Sequence, residues 1–343
     1  MCSGKQNRKA TTPSITDVAR HAGVSHMTVS RFLNKSGYVK AATAARVEAS
    51  IQALGYRRNP MVQALMSQVR RKNVNLDSNI VWIEEELVGQ AHNAIAQFRD
   101  QARRRADELG FGFDTLYYVP GEFSSSRIDT ILNARGTHGV IIAPKSHPSE
   151  DTNFPWNRYA AATIGRSLLA PTISYVMMHF QHAMSRALSE IKARGYQRIG
   201  FLVWEDSDSR SEHIPLMVFL RHNYQVSAQN RIDPLWMDGM TREKFQQWYH
   251  QNKPDVIVSS WMFGWNWVQQ LNVQIPEDLG FVSLSLRGDS TGVSGMNVPI
   301  RAIGLGAVDI VVAQIQRNEI GLPKVPKCLL VEGSWSEGKT LRT

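Results

Sequence analysis

A change in hydrophobic periodicity near residue 79 divides the sequence into two kinds of chain. Before this point, apolar residues recur at three- and four-residue spacing, which is typical of short amphipathic helices. After it, short apolar runs alternate with longer helical patterns, and this alternation predicts parallel sheets that are covered by helices. The sequence therefore predicts a small all-α unit followed by a larger α/β unit.

The electrical charge follows the same division. The 343 residues carry a formal net charge of +9. Residues 1–72 hold thirteen Lys and Arg residues and only two acids, Asp17 and Glu48, which makes a local net charge of +11. The remaining residues carry 26 basic and 28 acidic side chains, a net charge of −2. A basic segment on a near-neutral body predicts that this segment binds nucleic acid or an anionic membrane.

Composition excludes several classes of protein. Two cysteines, Cys2 and Cys328, are too few for a disulfide framework or a cysteine-rich zinc module, which favours a reducing compartment. No apolar run approaches the roughly 20 residues that span a bilayer. The first residues lack the apolar stretch of a signal peptide. We therefore expect a soluble, cytoplasmic protein with no membrane contact and no cofactor.

Two short helices joined by a tight turn are predicted within the basic segment. Ser14 is a suitable N-cap for the first helix, and Gly23 suits the left-handed residue that ends it. Ser25 then caps a second helix from His26 to about Leu33. A helix-turn-helix motif, whose second helix enters the DNA major groove, has this arrangement. An ordinary helical hairpin shares the pattern, but the local charge favours DNA binding.

Two further helical segments are predicted before the body begins. A third helix covers about residues 42–54, and Gly55 stops it. Pro60 suits the first turn of a short fourth helix that Asn59 would cap. This segment ends in three basic residues at 70–72, and it is either a simple linker or a helix that folds onto DNA.

The basic segment also carries a specific family resemblance. Its runs ITDVARHAGVSHMTVSRFLN and LGYRRNP, together with Thr43, Arg46 and Leu65, resemble lactose-repressor-type transcription regulators of the LacI/GalR family. The resemblance covers residues 14–66 almost continuously. With the composition, it implies a disordered basic arm over 1–13, a helix-turn-helix DNA-binding domain over 14–58, a hinge helix and linker over 59–78, and an effector-binding and dimerisation domain over 79–335.

The body shows a looser resemblance to the family's periplasmic-binding-protein-like effector domain, in phrases such as ADELGF and RGYQRIGFL. This resemblance implies two parallel-sheet subdomains, one over about 79–170 plus 300–327 and the other over about 171–299. Helices are predicted over 94–109, 180–193 and 242–251. Seven strands are predicted, at Ile80–Ile83, Gly112–Tyr118, Gly139–Ala143, Ala161–Ile164, Ile199–Trp204, Val256–Ser259 and Phe281–Leu286.

The resemblance implies which residues contact DNA bases. In the family, the recognition helix contacts bases through its first two residues and its sixth, which are His26, Met27 and Arg31 here. Arg31 suits a bidentate contact with guanine, whereas Met27 offers only an apolar contact, for instance to a thymine methyl group. Residues expected to contact phosphates or to pack are Ser25, Thr28, Ser30, Asn34 and Tyr56.

The family's hinge helix enters the minor groove at the centre of the operator. Leu65 takes the place of the leucine that wedges between base pairs and kinks the DNA, with Asn59 and Gln63 nearby. Val62 stands where the family has a small alanine. This bulkier residue is expected to alter the fit in the groove or the spacing of the operator centre.

In this family a small effector, often a sugar, binds in a cleft between the subdomains. The resemblance places Gly165, Ser285 and the pair Ser260–Trp261 where the family has acidic or amide residues that hold sugar hydroxyls. An arginine that the family has after the strand ending at Trp204 falls near Pro215 here. Without the acidic acceptors, a plain hexose is a poor candidate for the effector.

Aromatic and basic residues remain in the expected cleft. All nine tryptophans lie beyond residue 81, and we expect Trp236 and Trp261 to line the pocket, with Arg166 and Arg210 as anion contacts. An effector with an apolar face or an anionic group therefore suits the cleft, such as a sugar derivative. Two alternatives stay open: either tryptophan lies in the core or at a dimer interface, or the cleft responds to no small molecule.

Three patterns that match catalytic or metal sites fail by their context. Residues 333–340 have P-loop spacing, but only three residues follow, so the required helix has no room. Residues 288–292 match G-x-S-x-G, but no histidine follows His250 in the sequence. His179 and His182 share a helix face without a neighbouring cysteine or carboxylate, which favours a solvated face over a metal site. We therefore expect no enzyme activity.

Together these patterns predict a homodimeric, sequence-specific transcription regulator of LacI type. Repression is what the family resemblance implies, and activation stays open as the alternative. The regulator is expected to bind a pseudo-palindromic operator in double-stranded DNA, with an affinity that a small-molecule effector modulates. A solute-binding or sugar-processing protein with a basic tail is the rival class, and it needs a leader peptide or a catalytic constellation. A non-specific DNA-coating protein would spread its charge over the body.

Overall fold

The structure is a computed structural model that describes residues 13–34, 38–56, 78–85, 90–118, 123–145, 147–288 and 292–343. The chain divides into two compact units, Met1–Leu76 with Gln314–Glu319, and Asp77–Ala313 with Ile320–Thr343. We refer to the described residues 13–56 as the head and to the second unit as the body. The predicted hinge residues Asn59, Val62, Gln63 and Leu65 lie outside the described residues.

Three helices form the head, α1 (Ile15–Ala22), α2 (His26–Asn34) and α3 (Ala41–Leu54), and their bounds confirm the three predicted helices. A capping box starts α1, because the Ser14 N–H donates to Asp17 Oδ2 at 2.9 Å and the Asp17 N–H donates to Ser14 Oγ at 3.3 Å. Gly23 ends α1 with a left-handed φ of 62°. The small apolar core comprises Val18, Ala19, Ala22, Val29 and Val47.

Strands and helices alternate in the body as predicted, and both sheets have six strands. In chain order the body contains β1 (Asn79–Glu84), α4 (Gln90–Glu108), β2 (Gly112–Tyr117), α5 (Ser125–Ala134), β3 (Thr137–Ile142), β4 (Ala160–Ile164), β5 (Ser174–Met178), α6 (Phe180–Ala193), β6 (Ile199–Val203), α7 (Glu205–Arg210), α8 (Ile214–Gln225), β7 (Leu235–Trp236), α9 (Arg242–Asn252), β8 (Val256–Ser259), α10 (Phe263–Val268), β9 (Gly280–Leu286), β10 (Ser294–Asn297), α11 (Ile300–Arg317), β11 (Cys328–Val331) and β12 (Ser334–Ser336).

The first sheet has the order β11-β5-β4-β3-β1-β2 and is parallel throughout. The second has the order β12-β10-β9-β8-β6-β7, and only its edge strand β12 is antiparallel to its neighbour. The fold thus matches the predicted two-subdomain α/β architecture. None of the described helices is long and apolar enough to cross a membrane.

All seven predicted strands are present, and five others are strands that the sequence analysis did not predict: β5, β7, β10, β11 and β12. These five are short, and β11 and β12 are edge strands with exposed residues, so the hydrophobic pattern does not mark them. Their pairing changes the expected boundaries of the subdomains. The first sheet continues to Met178 rather than to about 170, and its returning segment reaches Val331 rather than 327.

The end of the chain also belongs to the second sheet, beyond the expected boundary at 335. Thr340 is buried, its hydroxyl donates to the Phe281 carbonyl at 2.7 Å, and the Ser294 N–H donates to it at 2.9 Å. Leu341 is 4% exposed. Residues 333–340 therefore form an edge strand and a turn that pack against β9 and β10.

Most of the aromatic residues in the second subdomain stabilise its core. Trp265 lies 5.1 Å from Phe281 between ring centroids, and Trp267 makes an edge contact with Phe245 at 5.6 Å. Trp248 stacks on Phe245 at 5.9 Å. Aromatic rings at these separations contribute packing energy beyond the area that they bury. These three tryptophans are partly buried and pack against the core of the second subdomain.

Candidate DNA interface and effector cleft

The local sequence fixes how α2 sits on the head. Ser25 caps α2, because its hydroxyl accepts from the Thr28 N–H at 3.2 Å and lies 2.9 Å from the Thr28 hydroxyl. Val29 is fully buried against α1 and α3. Burial of Val29 on one side turns the opposite side of α2 outward, and this outward side carries Met27 and Arg31, whereas His26 is exposed at the start of the helix.

The three predicted base-contacting residues are all exposed. His26 and Arg31 have exposed side chains, and 63% of Met27 is exposed, an unusual position for a large apolar side chain. Met27 and Arg31 are four residues apart, so they share one face of α2. The head thus presents a cation, an imidazole and an apolar group on one short helix.

A groove of about 290 Å³ lies beside Arg31 on the surface of the head. Hydroxyl groups and cations dominate its lining, and neither Asp17 nor Glu48 contributes to it. Such a lining suits a phosphate, because Arg and Lys attract the charge and hydroxyls donate hydrogen bonds to the oxygens. The lining residues are Val24, Ser25, Thr28, Arg31, Tyr38, Val39, Lys40, Thr43 and Arg46.

Several residues of this groove were not among the predicted contacts. Lys40 is the N-cap residue of α3, with an exposed side chain that makes no capping hydrogen bond. Thr43 and Arg46 follow at the spacing of one helical face. The sequence signal that marks them is this spacing of three residues from Lys40, on a helix that the head core orients through Val47.

Of the five predicted phosphate-contacting or packing residues, Ser25 and Thr28 line the groove. Tyr56 packs against the apolar core of the head, which agrees with the packing alternative. Ser30 is half-buried, and the side chain of Asn34 lies outside what the structure describes.

The body brings loops from the two sheets together at the carboxyl ends of their parallel strands. Lys145 follows β3 in the first sheet, and Arg210 lies at the end of α7, which begins directly after β6 in the second. The Arg210 guanidinium donates to the Lys145 carbonyl at 3.0 Å. Ligands of open α/β sheets bind outside the carboxyl ends of the strands. This edge is therefore the candidate effector cleft.

Both predicted anion-contacting arginines lie at this cleft, and both have carboxylate partners within the chain. Arg210 forms an ion pair with Asp206, one helical turn earlier on α7. Arg166 follows β4 after the left-handed Gly165, and its Nε lies 3.3 Å from Glu212 Oε1. The structure thus places the two arginines on opposite subdomains.

The two predicted aromatic residues lie at the carboxyl end of the second sheet. Trp236 ends the edge strand β7 and is 42% exposed. Trp261 follows β8 and stacks on the exposed ring of Phe263, with centroids 5.8 Å apart and planes 17° apart. An exposed aromatic surface at this position can bind the apolar face of a ligand.

A buried polar cluster under the first-sheet side of the cleft was not predicted. Lys145 is 5% exposed; its Nζ donates to Ser149 Oγ at 2.8 Å and lies 3.8 Å from Glu85 Oε1. Tyr118 donates to Asp151 Oδ1 at 3.2 Å. Burial raises the pKa of Asp151 and that of Tyr118 above their ordinary values. No local motif marks these residues, because the fold assembles them from three separate loops.

Two of the patterns that the sequence analysis rejected as metal or catalytic sites are the histidine pair and the G-x-S-x-G match. His179 is the N-cap residue of α6, and His182 lies in its first turn. The Nδ1 atoms of both lie within 3.8 Å of Glu332 Oε1, so the expectation that no carboxylate neighbours them is wrong: Glu332 comes from a segment that is distant along the chain. Within the described ranges, no group of three or more His, Cys, Asp or Glu residues has an arrangement that could hold a metal ion. Residues 289–291 of the G-x-S-x-G match lie outside the described residues.

Comparison with known proteins finds similarity to bacterial transcription regulators. Residues 14–59 match the lacI family of bacterial regulatory proteins. The transcriptional regulator MalR of Streptomyces coelicolor is 30% identical over 197 residues, which are 55% of this chain and 53% of that protein. The sucrose operon repressor of Streptococcus mutans is 43% identical over 90 residues, 24% of this chain and 28% of that protein. The chain thus spans about half the length of the first of these curated relatives.

The fold has close counterparts among solved structures. A lac repressor dimer bound to operator and the anti-inducer ONPF has a TM-score of 0.54 and 20% identity, and the match covers 96% of this chain and 99% of that one. A helix-turn-helix head followed by a two-subdomain α/β body is thus the fold of this chain. Residues 14–59 match the lacI family, and the fold of the described residues resembles that of the lac repressor.

Proposed function

We propose that this protein is a sequence-specific transcription regulator that represses genes by binding a pseudo-palindromic operator as a homodimer. The observation that carries the proposal is the outward face of α2, where exposed His26, Met27 and Arg31 stand beside a basic, hydroxyl-lined groove. Two such heads related by a two-fold axis would contact two half-sites of opposite orientation.

In this proposal the head separates base contacts from phosphate contacts. Arg31 donates to the O6 and N7 atoms of a guanine, and Met27 lies against a thymine methyl group. Ser25, Thr28 and Lys40 bind backbone phosphates and fix the register of α2 in the major groove. The unassigned hinge residues, with Leu65 as the wedge, remain part of the proposal for the minor groove.

The cleft of the body would bind the effector that modulates operator affinity. Support comes from Trp236 at the carboxyl end of the second sheet, and from Arg166 and Arg210, which follow the carboxyl ends of strands in the first and second sheets. An aromatic surface and cations favour a sugar derivative that carries an anionic group. Binding would shift the population between two arrangements of the subdomains and so change the operator affinity.

We also infer a cytoplasmic regulator without catalytic function. The local net charge of +11 belongs to residues 1–72, whereas the rest has a net charge of −2, which supports a division between DNA binding and effector binding. A sugar-processing enzyme with a basic tail is the second class. An assay for hydrolysis of nitrophenyl glycosides distinguishes the two, because only the enzyme releases nitrophenol.

Selection of binding sites from a random DNA library tests the proposed function. We expect a palindromic consensus, and Arg31→Ala should lose about 5- to 150-fold of the discrimination at one base pair in each half-site. Arg20→Ala is the matched control, because Arg20 is 76% exposed on α1 and does not line the groove. Retention of the full consensus by Arg31→Ala would show that α2 is not the helix that contacts bases.

A further inference from the structure

A cluster of three side chains joins the two subdomains at the cleft. Arg166 and Tyr175 belong to the first subdomain, whereas Glu212 lies between α7 and α8 of the second. The Glu212 carboxylate lies 3.3 Å from Arg166 Nε and accepts a hydrogen bond from the Tyr175 hydroxyl at 3.4 Å. The Arg166 guanidinium also lies over the Tyr175 ring, 4.9 Å from its centroid. One carboxylate thus bridges the cleft.

The backbone at Glu212 is held in an uncommon conformation. Glu212 and His213 have φ values of 55° and 60°, in the left-handed region that residues other than glycine rarely adopt. This sharp turn between α7 and α8 directs Glu212 toward Arg166, and Arg210 of the same turn reaches the Lys145 carbonyl. Hydrogen bonds within the turn hold this conformation, from the Glu212 N–H to the Ser209 carbonyl at 3.1 Å and from the His213 N–H to the Asp208 carbonyl at 2.8 Å.

We propose that Glu212 is an internal competitor for the effector: its carboxylate occupies the anion position on Arg166, and an anionic effector takes that place. This inference rests on the proposed effector cleft and defines its ligand class. The group that displaces Glu212 is a carboxylate or a phosphate, because these anions match the fork of a guanidinium. A neutral sugar has no group that competes with a carboxylate for Arg166.

The exposure of the pair suits this role. The side chains of Arg166 and Glu212 are 26% and 41% exposed, so water screens their attraction. Ion pairs with this exposure contribute little free energy, and a ligand can replace them. Displacement of Glu212 would remove the contact that joins the turn between α7 and α8 to Arg166 and Tyr175 of the first subdomain. The same event that binds the anion would therefore break one of the contacts between the subdomains, while the contact of Arg210 with the Lys145 carbonyl stays.

Calorimetric titration of the full chain with gluconate, glucose 6-phosphate and glucose tests the competition. We expect Glu212→Gln to bind one of the two anions up to about fivefold more tightly than the unchanged chain, because it removes a competing exposed ion pair. Arg166→Gln should abolish anion binding. Binding of gluconate alone identifies a carboxylate ligand, and binding of glucose 6-phosphate alone identifies a phosphate ligand.

The control for these titrations is Glu108→Gln. This change removes the same charge from an exposed ion pair with Arg105 on α4, which does not bridge the cleft, so anion affinity should not change. Equal or weaker anion binding by Glu212→Gln would refute competition. The proposed ligand class would be refuted if glucose bound and neither anion did. It would also be refuted if neither the unchanged chain nor Glu212→Gln bound any of the three compounds.

Hydrogen exchange tests the bridge without any ligand. Backbone amides near both partners are hydrogen-bonded, for example Gly165 to Val176 and His213 to Asp208. Glu212→Gln should accelerate exchange in residues 165–169 and 211–214 together, although these segments belong to different subdomains. Unchanged exchange in residues 165–169 would refute the bridge. Failure of the unchanged chain to select an operator would instead refute the proposed function, and the hydrogen-exchange result on the Glu212 bridge would still stand.

Discussion

The salt dependence of operator binding measures the role of Lys40. Lys40 lines the same groove as Arg31, its side chain is exposed, and it makes no capping hydrogen bond to α3. If Lys40 neutralises a phosphate, its replacement by glutamine removes one released counterion for each head. Every neutralised phosphate contributes about 0.9 to the slope of log affinity against log salt concentration.

The expected magnitude follows from the dimer. Two lysines per operator change the slope by about 1.8, which corresponds to about a 12-fold difference between salt concentrations of about 50 and 200 mM. The affinity of the unchanged protein should therefore fall about 12-fold more across this range than that of Lys40→Gln. The sequence preference should stay the same, because a phosphate contact carries no base information.

Fluorescence anisotropy with the selected operator, at five or more salt concentrations, gives both slopes. Arg20→Gln removes the same charge from a different part of the head and should leave the slope nearly unchanged. An unaltered slope for Lys40→Gln would refute the role of the groove as a phosphate site. A changed base preference in the same variant would place Lys40 among the base contacts instead.

Two further predictions concern the stability of the body. Glu84→Gln should lower the free energy of unfolding by about 2–4 kcal/mol in urea titrations. The buried Glu84 carboxylate accepts a hydrogen bond from Arg99 at 2.8 Å, and removal of the negative charge leaves the largely buried Arg99 cation unpaired with Glu84. A decrease below about 1 kcal/mol would contradict this reasoning. Hydrogen bonding to the buried Asp208 raises the pKa of His213. The His213–Asp208 ion pair therefore stabilises the fold fully below the ordinary histidine pKa, and this stabilisation is lost as the pH rises through the raised pKa of His213. His213→Gln should therefore cost more stability at about pH 5.5 than at about pH 9, and equal costs in thermal unfolding would contradict the ion pair.

Local sequence signals specify the three helices of the head. Ser14, Ser25 and Gly23 carry the cap and turn signals, and apolar residues at helical spacing identify the buried face. These signals act over a few residues, so each is visible without knowledge of the rest of the chain. The outward positions of Met27 and Arg31 follow from the same local periodicity.

The contacts within the candidate cleft depend on how the distant parts of the body fold together. Arg166, Arg210, Trp236 and Trp261 lie near the carboxyl ends of strands, and such ends are local features of the sequence. Their partners are not local: Glu212 lies 46 residues from Arg166 in the sequence, and no pattern connects them. Parallel sheets pair strands that are distant along the chain, so only the folded body shows that the predicted anion site already holds a carboxylate.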